Sequence, residues 1–515
     1  MKDKQLYIIW FIALLPLMIL RDYTPNNELR YLSIVDEALK NGNFFTFTNQ
    51  GEIYADKPPL YFWLMMAGKT LLGGHRMWFL SLLSFIPALV VMMTMAKWLR
   101  KEESRNQPEA LLMLMTGGLF AGLAIIIRMD MLMVMFITLS LYTFFKIYQG
   151  QAKKGDYYLF PLYLFLALFS KGPVGILVPL LSTLLFLLHR GEIHTWKRYW
   201  GWKSMLVLLT GCSIWFAGVY LEGGNSYLNN LLIHQTVGRG INSFHHKEPF
   251  YYYFITIWYS LAPWMFFSIG LIIAGMIRKK IQTDTERFFL TIIISTFIML
   301  SIISSKLAVY MLPALPFFIG LSAMLIDKFN EKNIWLRLSL ALPALILASA
   351  LPLIIYIAKT DTPFFAAVPL VFAAATVATL SGIAVLYLLF LKKELRLSIR
   401  VMSLGLLLAI FIAGWAMPQL NPYMGWSKLC QEASRLAEER QASEYCVYNI
   451  SRAESMDVFL KKDVIYVSEE DILSNSLTGN LLLLPEKTIN KNKKIQSVIA
   501  EKEGYKVGPY MIVIF

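Results

Sequence analysis

Runs of about 20 apolar residues, separated by short polar turns, recur from residue 6 to residue 417. Each run is long enough to cross a bilayer as a helix. The pattern predicts spans near 6–21, 77–98, 109–127, 129–149, 157–170, 173–189, 203–221, 253–277, 287–304, 307–326, 334–358, 363–391 and 399–417. Residues 58–74, PPLYFWLMMAGKTLLGG, are also apolar, but a span there would break the alternation of charge between turns. The proline pair at their start predicts a helix lying along the interface instead. Two intervening segments are long and polar, 22–76 and 222–252, and loops of that length inside a compact membrane domain are usually functional. In the first, Leu29, Leu32, Val35 and Leu39 fall on one face of a helix that Gly42 can end. Beyond residue 417 the periodicity changes. SKLCQEASRLAEER reads as a helix, and CVYNI, VIYVS, NLLLLP and YMIVIF read as strands. The fold class is therefore a polytopic α-helical membrane protein with about 13 transmembrane helices over 1–417. Two long active-site loops and a small α/β domain over 418–515 complete it.

Composition agrees with that class. The chain is 57% hydrophobic and only 16% charged, where soluble domains hold about a quarter charged residues. A net charge of +14 raises the question of a nucleic-acid partner. Its distribution argues against one. Residues 418–515 carry 12 Lys and Arg against 13 Asp and Glu, and the excess lies in alternate short turns between spans. With the N-terminus cytoplasmic, the cytoplasmic segments hold 23 Lys and Arg, and the short outer turns only Arg128, Lys171, Lys306 and Lys359. The positive-inside rule selects that orientation, and an odd span count puts the C-terminal domain outside. MKDKQLYIIWFIALLPLMIL has no small-residue cleavage site after it and reads as an uncleaved first span. Cys430 and Cys446 could pair in an outer domain, whereas Cys212 lies in a span.

The polar residues of the outer half are few. The first loop offers Glu28, Arg30 and Tyr31 in TPNNELRY, and Asp56 and Lys57 in YADKPPLYFW. Outer span ends add Arg128 and Asp130 (RMD) and Lys171 (SKGP). The second loop adds His234, Arg239, His245 and His246, and a later turn adds Lys306 and Tyr310 in SKLAVYMLP. Charge at membrane depth is costly, so such groups tend to be paired or functional. Cations, carboxylates and phenols on one rim suit a phosphate-bearing lipid, with Lys and Arg on the phosphate and a carboxylate as general base.

TPNNELRY followed by YADKPPLYFW resembles the first outer loop of the polyprenyl-phosphate-sugar-dependent membrane glycosyltransferases of the type C fold. That family includes aminoarabinose transferases and, more distantly, protein O-mannosyltransferases. Its pattern is Asp-Glu-x-Arg-Tyr, then Glu/Asp-Lys-Pro-Pro. Glu28, Arg30 and Tyr31 match the first, and Asp56, Lys57, Pro58 and Pro59 the second. The resemblance continues through SKGP, through His234 and Arg239, and through SKLAVYMLP. It implies that Lys57 and Arg239 bind the lipid-linked phosphate and that Arg30, Tyr31, Lys306 and Tyr310 line that site. It also implies that Asp56 and His234 can hold a divalent ion such as zinc or magnesium. The donor would be an undecaprenyl-phosphate-linked sugar. The acceptor would be lipid A or another envelope glycolipid at the outer face of the bacterial inner membrane.

The departure lies in the opening stretch, where Asn27 stands at the family's catalytic Asp. An amide cannot take a proton as a base. Glu28 can serve instead, or a shift of one residue brings Asn26 into that slot and recruits Asp22, Asp56 or Asp130, or the acceptor differs. Plainer readings stand beside these. Asn27 can cap the following helix, Arg128 and Asp130 can be a structural pair, and Lys171 and Lys306 can be topological anchors. A protein O-glycosyltransferase of the same fold is the nearest alternative. A lipid-linked glycan flippase is another, but it would show midplane charges and internal repeats.

Overall fold

The computed structural model describes residues 2–232, 247–360 and 364–515. Among these residues nine helices are long and apolar enough to cross a membrane, and ten if one sharply bent pair counts as a single span. The helices that matter below are α1 (Asp3–Leu20), α2 (Arg30–Asn41), α3 (Leu60–Leu72), α4 (Met77–Lys101), α5 (Gln107–Thr116), α6 (Gly118–Leu123), α7 (Asp130–Tyr148), α8 (Asp156–Lys171) and α9 (Val174–His189). They continue with α10 (Trp202–Asn229), α11 (Tyr252–Ser260), α12 (Met265–Ile277) and α13 (Asp284–Ile302).

The chain is a multi-pass helical membrane protein, but 13 uniform spans are not what it shows. The segment expected at 109–127 is broken at Gly117 into α5 and α6. The break lets the Gly118 N–H donate to the Ala262 carbonyl at 2.7 Å, at the corner where α11 and α12 bend by 119°. The segments expected at 157–170 and 173–189 are 16-residue helices, α8 and α9. At 1.5 Å per residue each reaches ~24 Å, short of a ~30 Å hydrocarbon core. Gly172, at φ +114°, turns the chain between them. A Cβ on Gly175 would lie 2.4 Å from the Ala167 backbone, so only glycine permits this close hairpin.

The first long loop is the structured element the periodicity predicted. α2 ends at Gly42 in the left-handed conformation and buries Leu32, Ile34, Val35 and Ala38. α3 starts after Pro59 and ends at Gly73, and at 13 residues it is too short to span. Leu29, Tyr31 and Leu32 join Tyr61, Phe62, Met65 and Met66 in one core cluster. The C-terminal domain contributes to that same cluster through Trp426, Leu429 and Val447, which ties the loop to both neighbours.

The C-terminal sheet has strands β3 (Tyr445–Val447), β4 (Val464–Tyr466), β5 (Leu481–Pro485), β6 (Glu503–Val507) and β7 (Tyr510–Ile514), in the order β4-β3-β5-β7-β6. β1 (Thr48–Asn49) and β2 (Glu52–Ile53) form a separate hairpin in the first loop. β3 is parallel to β4 and β5, and the β5, β7 and β6 pairings are antiparallel. Strand β6, EGYKV, escaped the pattern because charged and small residues hide its alternation. The run LLLL in β5 is wholly buried, one face in the cluster that includes the first loop and the other under helices of the domain. Cys430 and Cys446 are free thiols on separate clusters, so the pairing considered for them does not form.

Candidate active site

Pro25–Leu29 coil into a single wide π-helical turn that runs directly into α2. Asn27 sits inside this turn, half-buried, and no side chain caps either helix start, so Asn27 is not a helix cap. Glu28 points the other way and is fully buried. Its Oε2 accepts from Arg21 Nη1 at 2.7 Å and from the Thr24 N–H at 2.7 Å. Its Oε1 accepts from Arg21 Nη2 at 2.7 Å and from the Ile127 N–H at 2.6 Å. All four acceptor positions of the carboxylate are filled. Glu28, the residue that sequence reasoning favours as base, is thus a corner brace joining α1, the π turn and the chain entering α7. Asp22, considered as a substitute, is engaged in the same manner. It accepts from the Tyr23 N–H at 2.7 Å and from the Ser427 N–H at 2.9 Å, across to the C-terminal domain.

Three residues after Glu28, Tyr31 is buried edge-on to Phe62, with ring centroids 5.6 Å apart. The charges that act on its phenol are Arg128, Asp130, Arg30 and Asp56, which places these four around one buried ring. Burial, the largest effect, pushes the Tyr31 phenol up, so it stays protonated at neutral pH. The Arg30 guanidinium lies 5.3 Å from the Tyr54 ring centroid. Asp130, at the start of α7, is 1% exposed. Its carboxylate accepts from Arg128 Nε at 3.0 Å and from Lys171 Nζ. Lys171 also lies 4.6 Å over the Tyr310 ring. The SKGP and SKLAVYMLP motifs therefore meet the RMD motif at this point. Arg128 and Asp130 form the pair that the sequence allowed, and Lys171 joins them, which only the fold could reveal because Arg128 and Lys171 lie 43 residues apart. Asp130, offered as a base, is held by two cations. That favours its ionised form and makes it a poor proton acceptor.

Asp56 and Lys57 are half-buried beside this cluster. The chain leading to them is fixed from α10, which the sequence alone does not single out. The Tyr227 hydroxyl donates to the Tyr54 carbonyl at 2.9 Å and accepts from the Phe47 N–H at 3.0 Å. Glu222 accepts from the backbone N–H groups of Phe44, Phe45 and Thr46. Pro58 and Pro59 then start α3 and limit the freedom of the turn. Lys306 is 3% exposed and donates to the Glu248 carbonyl at 3.0 Å, so it fastens the end of the second loop. Arg239, His234, His245 and His246 lie outside the described residues. Among the described residues no group of three His, Cys, Asp or Glu side chains could hold a metal. Of the pair that the resemblance offers to a divalent ion, Asp56 is half-buried beside the cluster and His234 lies outside the described residues.

Comparisons with known proteins point one way. A family model described as dolichyl-phosphate-mannose-protein mannosyltransferase matches residues 56–216. An uncharacterized protein of Aquifex aeolicus is 26% identical over 70% of this chain and 72% of its own length. An undecaprenyl phosphate-alpha-4-amino-4-deoxy-L-arabinose arabinosyl transferase of Edwardsiella ictaluri is 24% identical over 64% of this chain, and the match spans 59% of that enzyme. One from Pseudomonas fluorescens is 22% identical over 87% of this chain and 80% of its own. Among solved structures, ArnT from Cupriavidus metallidurans bound to undecaprenyl phosphate superposes with a TM-score of 0.77. It is 18% identical and the match covers 99% of this chain and 96% of that one, which establishes a shared fold. With its motifs assembled at one site on that fold, the chain is similar over most of its length to polyprenyl-phosphate-sugar-dependent membrane glycosyltransferases of the type C fold, and the matches support a glycosyltransferase that uses a polyprenyl-phosphate sugar donor.

Proposed function

We propose that the protein transfers a sugar from undecaprenyl phosphate to a hydroxyl of an envelope glycolipid, lipid A being the favoured acceptor. The observation that carries this is the cluster of Arg30, Arg128, Lys171 and Tyr310 around buried Tyr31 and Asp130, beside Asp56 and Lys57. Such a concentration of cations stabilises a phosphate leaving group without any nucleotide. The acceptor oxygen attacks the sugar's anomeric carbon, the bond from that carbon to the phosphate oxygen breaks, and undecaprenyl phosphate departs with its electron pair. The configuration inverts. Asp56 takes the hydroxyl proton: it is half-buried beside the Tyr31 cluster, where an acceptor can reach it, whereas Glu28 and Asp130 are sealed from it at 0% and 1% exposure. Lys57, with Arg239, holds the phosphate. Lys171 and Arg128 keep Asp130 ionised and fix the Tyr310 wall.

The site faces the periplasm in this reading, with the N-terminus cytoplasmic, in a bacterial inner membrane. Support comes from the charge bias of the short turns. The description of the matched family model keeps a protein acceptor as the second reading. The experiment is a transfer assay on the purified full chain. It supplies an undecaprenyl-phosphate-linked aminoarabinose, with lipid A or an acceptor protein, and follows both products by mass spectrometry. Release of undecaprenyl phosphate together with modified lipid A is expected. Release with neither lipid A nor protein modified would refute the glycolipid reading.

A further inference from the structure

The C-terminal domain carries a second polar recess far along the chain from the Lys57 cluster. It is a crevice of about 320 Å³ lined by Asn449, Pro485, Lys487, Thr488, Lys491 and Asn492. Its place in the fold is informative. The chain leaves β3 towards β4 on one side, whereas β5 lies on the other side of β3, so the order of the parallel strands reverses between β3 and β5. Ligands of open α/β sheets bind outside the carboxyl ends of the strands at such a reversal. Asn449 follows β3 by two residues, and Pro485 ends β5. Asn449 adopts the left-handed conformation, at φ +57°, and its side-chain amide donates to Thr488 Oγ1 at 2.9 Å across the crevice. Non-glycine residues held there are found disproportionately at functional sites.

The charge of the crevice is positive. The stretch EKTINKNKK places Lys487 and Lys491 on its wall, and Lys493 and Lys494 follow in sequence. Of the nearby carboxylates, Glu486 pairs with Lys506 at 2.7 Å, and Glu469 accepts from the amide of Asn492, a residue of the crevice wall, at 2.9 Å. Neither Lys487 nor Lys491 makes an ion pair among the described residues, and both are exposed.

The crevice also lies at the end of the domain that meets the membrane helices. Pro485 pairs with Tyr510, whose hydroxyl accepts from Trp426 Nε1 at 3.2 Å. The adjoining β6–β7 turn packs on the short helix Met417–Met424 that follows the last span. A Cβ on Gly508 would lie 2.2 Å from the Pro422 carbonyl oxygen.

We propose that this crevice binds the phosphorylated headgroup of a lipid in the leaflet beside the C-terminal domain. Lys487 and Lys491 meet the phosphate, and Asn449 and Thr488 meet the headgroup hydroxyls, while Asn492 caps the helix that follows and holds Glu469. Both lysines are solvated in the free protein and lose little when a phosphate replaces water, which suits a surface that samples lipids.

The test uses the full chain in neutral detergent, with dihexanoyl phosphatidic acid as the probe and native mass spectrometry as the readout. Lys57→Gln serves as the reference for the active-site cluster. Wild type is expected to take up two lipids. The Lys487→Gln/Lys491→Gln protein should take up one, with at least a tenfold loss of affinity at the missing site, and the Lys487→Arg/Lys491→Arg protein should keep both. Lys57→Gln should lose the other lipid, so failure of the crevice and failure of the active-site reading are told apart. Wild-type uptake by Lys487→Gln/Lys491→Gln would overturn the proposal. Displacement of the crevice lipid by inorganic phosphate at equal concentration would overturn its lipid half, because the site would then recognise phosphate alone.

Discussion

Two carboxylates separate structure from chemistry at the level of single residues. Glu28 is buried with all its acceptor positions filled, and Arg21, 9% exposed, depends on it for charge balance. Removing one partner of a buried pair leaves an uncompensated charge and costs ~3–5 kcal/mol. Glu28→Gln is therefore expected to lower the melting temperature sharply, and to lose activity in proportion to the folded protein lost. Asp56→Asn should behave differently. Asp56 is half-buried where Glu28 is fully buried, so the variant's melting temperature should fall far less than that of Glu28→Gln while kcat falls by ~10²–10⁴, the usual contribution of a general base. Thermal denaturation and kcat measured on the same preparations distinguish the two. A stable, inactive Glu28→Gln protein would return the base role to Glu28. At the cation cluster, Lys171→Gln strips Asp130 of one of its two partners and removes the cation over Tyr310. KM for the lipid-linked donor should rise, and a donor titration checks this.

The first loop and the C-terminal domain hold each other in place as elements. Arg452 donates from Nη1 to the Asn26 carbonyl at 2.6 Å, inside the π turn that presents Asn27. Asp457 accepts from the Ser33 hydroxyl at 2.8 Å and from the Gln50 amide at 3.3 Å. Arg452→Ala deletes a charge-assisted bond worth ~1.5–3 kcal/mol. Hydrogen exchange across residues 22–31 should quicken in that variant while the membrane helices stay protected.

Asp457 gives the same contact a pH dependence. Burial pushes its carboxyl up to about 6, with Asp36 and Asp463 adding repulsion and the Ser33 hydroxyl opposing. The folded state thus holds a proton that the unfolded chain releases near pH 4. Stability from this group is full below about pH 4, falls as pH rises towards 6, and is level above, with a loss of up to ~3 kcal/mol. Asp457→Asn should flatten that slope in melting curves taken between pH 4 and 7. An unchanged slope would mean that Asp457 ionises normally.

For the whole molecule, the open question is which side of the membrane carries the site. The native cysteines are suited to silent labelling, since Cys430 and Cys446 are buried with burial raising both thiols, and Cys212 sits within a span. A Lys494→Cys variant adds an exposed thiol on the C-terminal domain. A membrane-impermeant maleimide should label it in intact spheroplasts. A Lys154→Cys variant, in the turn between α7 and α8, should react only after lysis. The reverse pattern would invert the topology inferred from the charge bias.

The sequence by itself determined the membrane class, the structured first loop and the ordered motifs that carry the family resemblance. All of these rest on local information: apolar periodicity, helix-ending glycines, a proline pair, and short motifs read one at a time. It did not determine uniform spans, because the break at Gly117 answers a carbonyl contributed by Ala262. Nor could it distinguish a base from a brace. Glu28 and Asp56 are equally acidic on paper, and only the fold closes Arg21 and the Ile127 N–H over Glu28 and buries it while Asp56 stays half-buried. Arg128, Lys171 and Tyr310 converge on one site because α7, α8 and the turn before residue 315 pack together. The charge each residue carries is written in the chain, but the neighbours that give that charge a function are supplied by the fold.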